Sequence, residues 1–254
     1  MGYNYKNESN KLFDRCSKNE SIMLLIYCIN FIFMLLICFD INDTINTISN
    51  YLVIILNIIY IIISGYNDLF LKNKAENELR KTMIANSFNV NITSTKSEGY
   101  YSNDIKPSVK KMGINNFEST LYTKKITEKL IYKNLIKTVA LIILWIIIIT
   151  RVNNLEIIVL LTQIIFSADV LLDLIKNIYY HVNVNTLFDK FYKIFVTDGY
   201  NAKDAPAIIE YVMEYECLKN YCHIVLPNNI FDSERIQLEK EWEEIRKNIK
   251  RTSN

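Results

Sequence analysis

Four polar side chains sit where an apolar helix would place them on one face. Thr162, Asp169, Asp173 and Lys176 stand at offsets of 0, 7, 11 and 14, a spacing that aligns them along a helix. Gln163 and Ser167 border the same face. A carboxylate inside an apolar helix costs ~3 kcal/mol on membrane-insertion scales and normally faces a bundle interior or water. One reading is a hydrated stripe that lines a pore or a path between subunits. The other is that Asp173 and Lys176 already reach the aqueous interface while Asp169 pairs with Lys137. Both stand at this stage. Asn57 lies mid-run in an earlier apolar stretch and joins Thr162, Asp169 and Asp173 as a pore-lining candidate. Asn30 is placed similarly, and for both amides a contact between helices is the plainer role.

Other chemistry finds little to work with. The five glycines are scattered singly, so no phosphate-cradling loop forms. There is no Gly-x-Ser-x-Gly elbow, no His-Glu-x-x-His pair and no spaced aspartate cluster. His181 and His223 have no motif around them. Cys217, Cys222 and His223 do not complete a tetrahedral metal site, so neither a metal nor a cofactor is expected. Asp40 and Asp43 occupy a turn, where aspartate simply caps. The expectation is a protein that is not an enzyme.

The elements that must position these residues follow from the apolar blocks. Half of the 254 residues are hydrophobic, and the formal charge is only +2, which gives no reason to expect DNA or RNA as a partner. Five glycines and three prolines argue for long helices. An odd count of five cysteines does not suit a secreted disulfide framework. Residues 21–39 and 45–65 carry no charge at all, and each is long enough to cross ~30 Å of hydrocarbon as a helix. Two further runs, 138–150 and 157–168, are shorter and joined by a tight connection. Runs of that length are often buried or re-entrant, but Lys137 and Arg151 can snorkel from the ends of the third and restore a spanning length.

Charge sorting favours four crossings. Of 29 Lys and Arg, 4 precede residue 21, 13 lie between 66 and 137, and 11 lie from 176 onward. Arg151 alone stands in a short connection. With four crossings, 28 of the 29 positive charges fall on one side, as the positive-inside rule asks of a bundle with both termini in the cytoplasm. The predicted fold is all-α: a polytopic membrane protein with four transmembrane helices in two hairpins. Its parts are a cytoplasmic N-terminus (1–20), a first hairpin (21–65), a cytoplasmic helix-loop-helix segment (66–133), a second hairpin (134–175) and a cytoplasmic helical tail (176–254). Two spans with a buried or re-entrant second hairpin are the rival arrangement. Within the cytoplasmic parts, residues 89–113 read as loop, with Asn115 and Glu118 as a capping pair for the next helix. Pro206 opens a helix in the tail, and a last helix near 232–250 places Leu238, Trp242, Ile245 and Ile249 at alternating spacings of four and three. That is a narrow apolar seam suited to another helix.

With this layout the chain resembles the four-transmembrane effector family (S-4TM) associated with bacterial cyclic-oligonucleotide synthases. The likeness lies in residues 76–91 (ENELRKTMIANSFNVN), 99–104 (GYYSND), and the tail from 215–219 (YECLK) through 227–231 (PNNIF) to Glu239. Arg80, Phe88, Tyr100 and Tyr101 are the positions that match. The resemblance implies an anti-phage effector of the bacterial inner membrane. A cyclic di- or tri-nucleotide from a neighbouring synthase would activate it, and its spans would permeabilise the host's own membrane in abortive infection. On that reading Arg80, Lys81, Tyr100, Tyr101 and Lys106 are the ligand-binding candidates, since an anionic ligand wants cations and aromatic faces. The positive-inside signal explains the same cations without a ligand. Four helices enclose no wide lumen, so a pore implies a homo-oligomer. The seam of Leu238, Trp242, Ile245 and Ile249 is then the oligomer-contact candidate, with packing inside one subunit as its alternative. A membrane-anchored binding or scaffold module without a pore is the competing function.

Overall fold

The computed structural model describes residues 8–38, 42–92, 105–151, 158, 162 and 170–252. Among these residues the regular structure is entirely helical. Helix α1 spans Glu8–Cys38 and α2 spans Asp43–Tyr66. A π-helical segment, Asn67–Lys72, carries α2 on into α3, Asn73–Phe88. Helix α4 runs unbroken over Val109–Arg151. Helix α5, Val170–Tyr192, passes through a second π segment, Lys193–Thr197. A short 3-10 turn, Ala202–Asp204, leads into α6, Ala205–Cys222, and α7 spans Asn228–Thr252.

Three of these helical stretches are long and apolar enough to cross a membrane: Ser9–Ile37, Asp43–Phe88 and Val109–Ile147. Most of the fourth apolar run, including Asp169, lies outside the described residues. Isoleucine and valine are mediocre helix formers in water. In hydrocarbon the backbone has no other way to satisfy its own N–H and C=O groups, so a long β-branched run becomes a helix there. Along α2, Ile54, Ile55, Ile58, Ile61 and Ile62 are all more than half exposed. An apolar surface of that extent marks a membrane or a partner.

The chain divides into two compact units. One takes residues 14–72 and 132–175. Here α1 and α2 run antiparallel, as three contacts at successive levels show. Asn30 Nδ2 donates to Asn57 Oδ1 at 2.8 Å, Asn19 Nδ2 to Asn67 Oδ1 at 3.4 Å, and Lys72 lies 3.2 Å from Glu20 and 3.0 Å from Asp68. Asn42 opens α2 as its N-cap, its side chain accepting from the Thr44 amide at 2.9 Å.

The other unit takes residues 1–13, 73–131 and 176–254. Its core is aromatic and centred on Phe117 of α4. That ring lies 5.2 Å from Phe188, 6.2 Å from Phe191, 6.1 Å from Phe195 and 5.4 Å, edge-on, from Trp242. Such offset and edge contacts add to the burial itself. A second cluster joins Tyr180, Val184 and Leu187 of α5 to Tyr215, Leu218 and Cys222 of α6.

Two local expectations change. Asn115 and Glu118 do not cap a helix: both are buried inside α4, which starts six residues before Asn115, at Val109. Ser108 caps it instead, its Oγ accepting from the Lys111 amide at 3.2 Å. Asn115 is spent on α3, donating to Asn86 Oδ1 at 3.1 Å and Ser87 Oγ at 3.2 Å. Gly113, expected in a loop, lies within α4 where no side chain fits. A Cβ there would come within 2.7 Å of Phe195 Cζ and 2.8 Å of Ile208 Cγ2.

Candidate functional site

The charged side chains that gather most tightly sit between α3 and α6. Glu76 and Arg80 are one turn apart on α3, and Glu216 and Lys219 one turn apart on α6, so each helix presents a cation and an anion to the other. Arg80 Nε donates to Glu216 Oε2 at 3.0 Å. Lys219 Nζ reaches Glu216 Oε1 at 2.7 Å and Glu76 Oε2 at 3.7 Å, and lies 5.0 Å from the centre of the Tyr215 ring. Glu76, Glu216 and Lys219 are all buried. Burial pushes the Glu76 carboxyl above its usual range, and the nearby Lys219 ammonium opposes that shift. The Tyr215 hydroxyl shares a 2.8 Å hydrogen bond with Thr123 Oγ1 of α4. Burial also drives the Tyr215 phenol above its ordinary pKa. These four charges balance, so the network is a joint between helices with no net charge to attract an ion.

A separate buried carboxyl lies on the charged half of α4, outside its apolar stretch. Glu118 is 8% exposed, and its Oε2 has no hydrogen-bond partner. Burial raises its pKa to about 7 against the pull of Arg246 and a hydrogen bond from Tyr122. Around it α7 is tied to α4 by Lys125–Glu241 at 3.5 Å and by an ion pair between Lys129 and Glu234. Neither buried group is named by a motif. For the joint, the signal in the sequence is opposite charge one turn apart, Glu76 with Arg80 and Glu216 with Lys219; Glu118 has no such partner on its own helix.

Of the ligand-binding candidates, Arg80, Lys81 and Lys106 are among the described residues. Arg80 is engaged by Glu216, as above. Lys81 pairs with Glu78 of its own helix at 2.8 Å. Lys106 is exposed, and its carbonyl accepts from Ser108 Oγ at 2.9 Å. Tyr100 and Tyr101 lie outside the described residues.

The pore-lining candidates fare differently from one another. Thr162 accepts from Trp145 Nε1 at 2.9 Å and donates to the Ile158 carbonyl at 2.7 Å, so its hydroxyl joins two apolar segments. Asp173 is exposed in the first turn of α5. Asn57 is exposed on α2 while holding Asn30. Asp169 lies outside the described residues, and with it the pairing to Lys137.

The seam on α7 is occupied within the chain. Leu238, Trp242 and Ile249 are at most 5% exposed, and Ile245 packs on the same aromatic core. The seam therefore serves packing inside one subunit, because Phe117 and its neighbours already fill the face a second copy would need. The outward face of α7 carries Lys240, Glu243, Glu244 and Lys247. Among the described residues no group of three or more His, Cys, Asp or Glu side chains is disposed to hold a metal ion. No protein-family model, no curated protein and no solved structure matches this chain.

Proposed function

We propose that this chain is a membrane-permeabilising effector of a bacterial cyclic-nucleotide anti-phage system. It would oligomerise in the inner membrane on activation and cause abortive infection. On this reading four spans form two hairpins and both termini are cytoplasmic. The aromatic-centred unit is the cytoplasmic part that receives the signal. The observation that carries the reading is the pairing of long exposed apolar helices with mid-span polar groups, Asn57 foremost. A helix that only tethers a domain has no need of an exposed amide at that depth. The charge sorting, with 28 of 29 cations on one side of four crossings, supports the orientation. The resemblance to the four-transmembrane effectors supplies the trigger, a cyclic di- or tri-nucleotide.

The test is induced expression in a bacterial host with simultaneous dye entry and membrane-potential readout, with and without a co-expressed cyclic-oligonucleotide synthase. Dye entry and depolarisation are expected, and they should grow with the synthase. Intact membranes under both conditions would sink the proposal. A second reading, a membrane-anchored signal-binding or scaffold module, draws on the buried joint between α3 and α6. For that reading, exchanging the spans for an unrelated anchor should leave function intact.

A further inference from the structure

Helix α2 carries a polar pattern that its apolar composition hides. Asp43, Asn50, Asn57 and Ser64 recur at intervals of seven residues. Asp43, Asn50 and Asn57 are exposed and Ser64 is half-buried. A seven-residue repeat drifts only ~20° per step on a straight helix, so the four form one slowly winding stripe. At 1.5 Å per residue the stripe is about 30 Å long, the thickness of a bilayer's hydrocarbon core. One flank meets Ser49 and Val53, both buried. The other meets the exposed isoleucines Ile54 and Ile61. The stripe thus runs along the border between a packed seam and a lipid-soluble face.

Asn30 and Asn57 mark the middle of this border. Asn30 is 5% exposed and donates to Asn57 Oδ1 at 2.8 Å, yet its own Oδ1 has no hydrogen-bond partner. A buried acceptor left unmatched, beside an exposed amide at mid-span, is costly against hydrocarbon and inexpensive against water. A lipid-facing role fits neither group. At one end of the stripe Asp43 adds a carboxylate in the first turn of α2, which would raise the local concentration of small cations.

We propose that this stripe of α2 faces a water-filled path formed where copies of the chain meet, making α2 the lining helix and Asn57, with Asn30 behind it, its mid-depth polar contact. This rests on the permeabilising function proposed above and names the surface that performs it. The occupant of the stripe is water with hydrated ions, and a second copy closes the path around it.

The test is cysteine accessibility in the full-length chain. Cys16, Cys28, Cys38, Cys217 and Cys222 are first replaced by alanine. Single variants Asn50→Cys, Asn57→Cys and Ser64→Cys are then compared with Ile54→Cys and Ile61→Cys. Each is reconstituted into dye-loaded vesicles of phosphatidylethanolamine and phosphatidylglycerol, with a set of cyclic di- and tri-nucleotides added as activators and with helical content checked by circular dichroism. The probe is a membrane-impermeant charged methanethiosulfonate. The stripe positions should react severalfold faster than the isoleucine positions, and their modification should slow dye release. Equal reactivity of both sets in vesicles that still leak would overturn the lining role and leave permeabilisation standing. Disulfide-linked dimers through Asn57→Cys without labelling would mean a dry contact between copies and would also overturn it. Vesicles that retain dye with the cysteine-free parent and with the wild-type chain alike would remove the underlying function, and the path with it.

Discussion

Arg80 and Glu216 meet at 3.0 Å across 136 positions of chain, and Lys219 closes on the same carboxylate from the other side at 2.7 Å. A buried carboxylate that holds two cations cannot be removed quietly. Its loss leaves both charges facing each other with less solvent than they need, a change that typically costs about 3–5 kcal/mol.

Replacing Glu216 by alanine is therefore expected to lower the thermal unfolding midpoint of the detergent-solubilised chain sharply. Lys81→Ala breaks only the Lys81–Glu78 pair on the α3 surface and should cost about 0–1 kcal/mol. Arg80→Ala should fall between the two, because Lys219 remains to satisfy Glu216. Midpoints that fail to separate Glu216→Ala from Lys81→Ala would show that the joint is hydrated and contributes little. The same ordering bears on the ligand candidates. A loss of signalling on Arg80 substitution has to be read beside the melting curve, since Arg80 already has a structural partner.

Gly113 tests the packing of α4 against the second π segment and α6. Alanine has the better helix propensity, worth about 1 kcal/mol. Against this, its Cβ would meet Phe195 Cζ at 2.7 Å and Ile208 Cγ2 at 2.8 Å. Both atoms belong to fully buried side chains with little room to move, and overpacking of this kind costs about 1–3 kcal/mol. Gly113→Ala should thus be destabilising overall, and Phe195→Leu in the Gly113→Ala background should recover part of the loss. A double-mutant cycle on unfolding midpoints measures the coupling. Simple additivity would mean that the two side chains separate freely.

Glu118 gives the core a pH dependence of known sign. Its folded-state pKa is raised from 4.5 to about 7 by burial, so between those values the folded chain holds a proton that the unfolded chain has released. Stability falls as pH rises through that window and levels off above it. The groups facing the carboxyl are Tyr122 on α4 and Arg246 and Glu239 on α7. Glu118→Gln removes the titration. It should melt later than the parent at pH 8, by on the order of 1–3 kcal/mol, and the two curves should converge near pH 5. Loss of the Arg246 attraction works against the gain, which places the effect toward the lower end. A parent whose midpoint is flat from pH 5 to pH 8 while the variant's is also flat would mean that Glu118 titrates normally.

How much of this was legible in the sequence depends on how local each feature is. The apolar blocks at 21–39, 45–65 and 138–150 declare themselves through unbroken composition, and their described residues lie in long helices. The link from α2 to α3 was not legible. Nothing in Asn67–Lys72 signals a π segment, within which Asn67 meets Asn19 of α1 and Lys72 pairs with Glu20 and Asp68. Asn115 and Glu118 have the right types and spacing for a helix cap. Ser108 takes that role because α3 packs on the next turn and claims Asn115 through Asn86 and Ser87. The joint of Glu76, Arg80, Glu216 and Lys219 shows only as two charge pairs at helical spacing. Which pair meets which is a property of the fold.

The α7 seam separates packing from assembly. Its sequence pattern suits either, because alternating spacings of four and three make a ridge for any partner helix. Trp242 stands edge-on to Phe117 at 5.4 Å with 3% of its surface exposed. Truncating a buried tryptophan costs about 3–5 kcal/mol. Trp242→Ala should therefore lower the unfolding midpoint of the chain at every protein concentration, and Trp242→Phe should restore much of it. A seam that joined copies would behave otherwise: the midpoint would depend on concentration, and the variant would shift the oligomer distribution while leaving the melting of the single subunit unchanged. Size-exclusion chromatography with light scattering beside thermal melts distinguishes the two. A concentration-dependent midpoint in the parent that disappears in Trp242→Ala would move the seam from the core of one subunit to the contact between two.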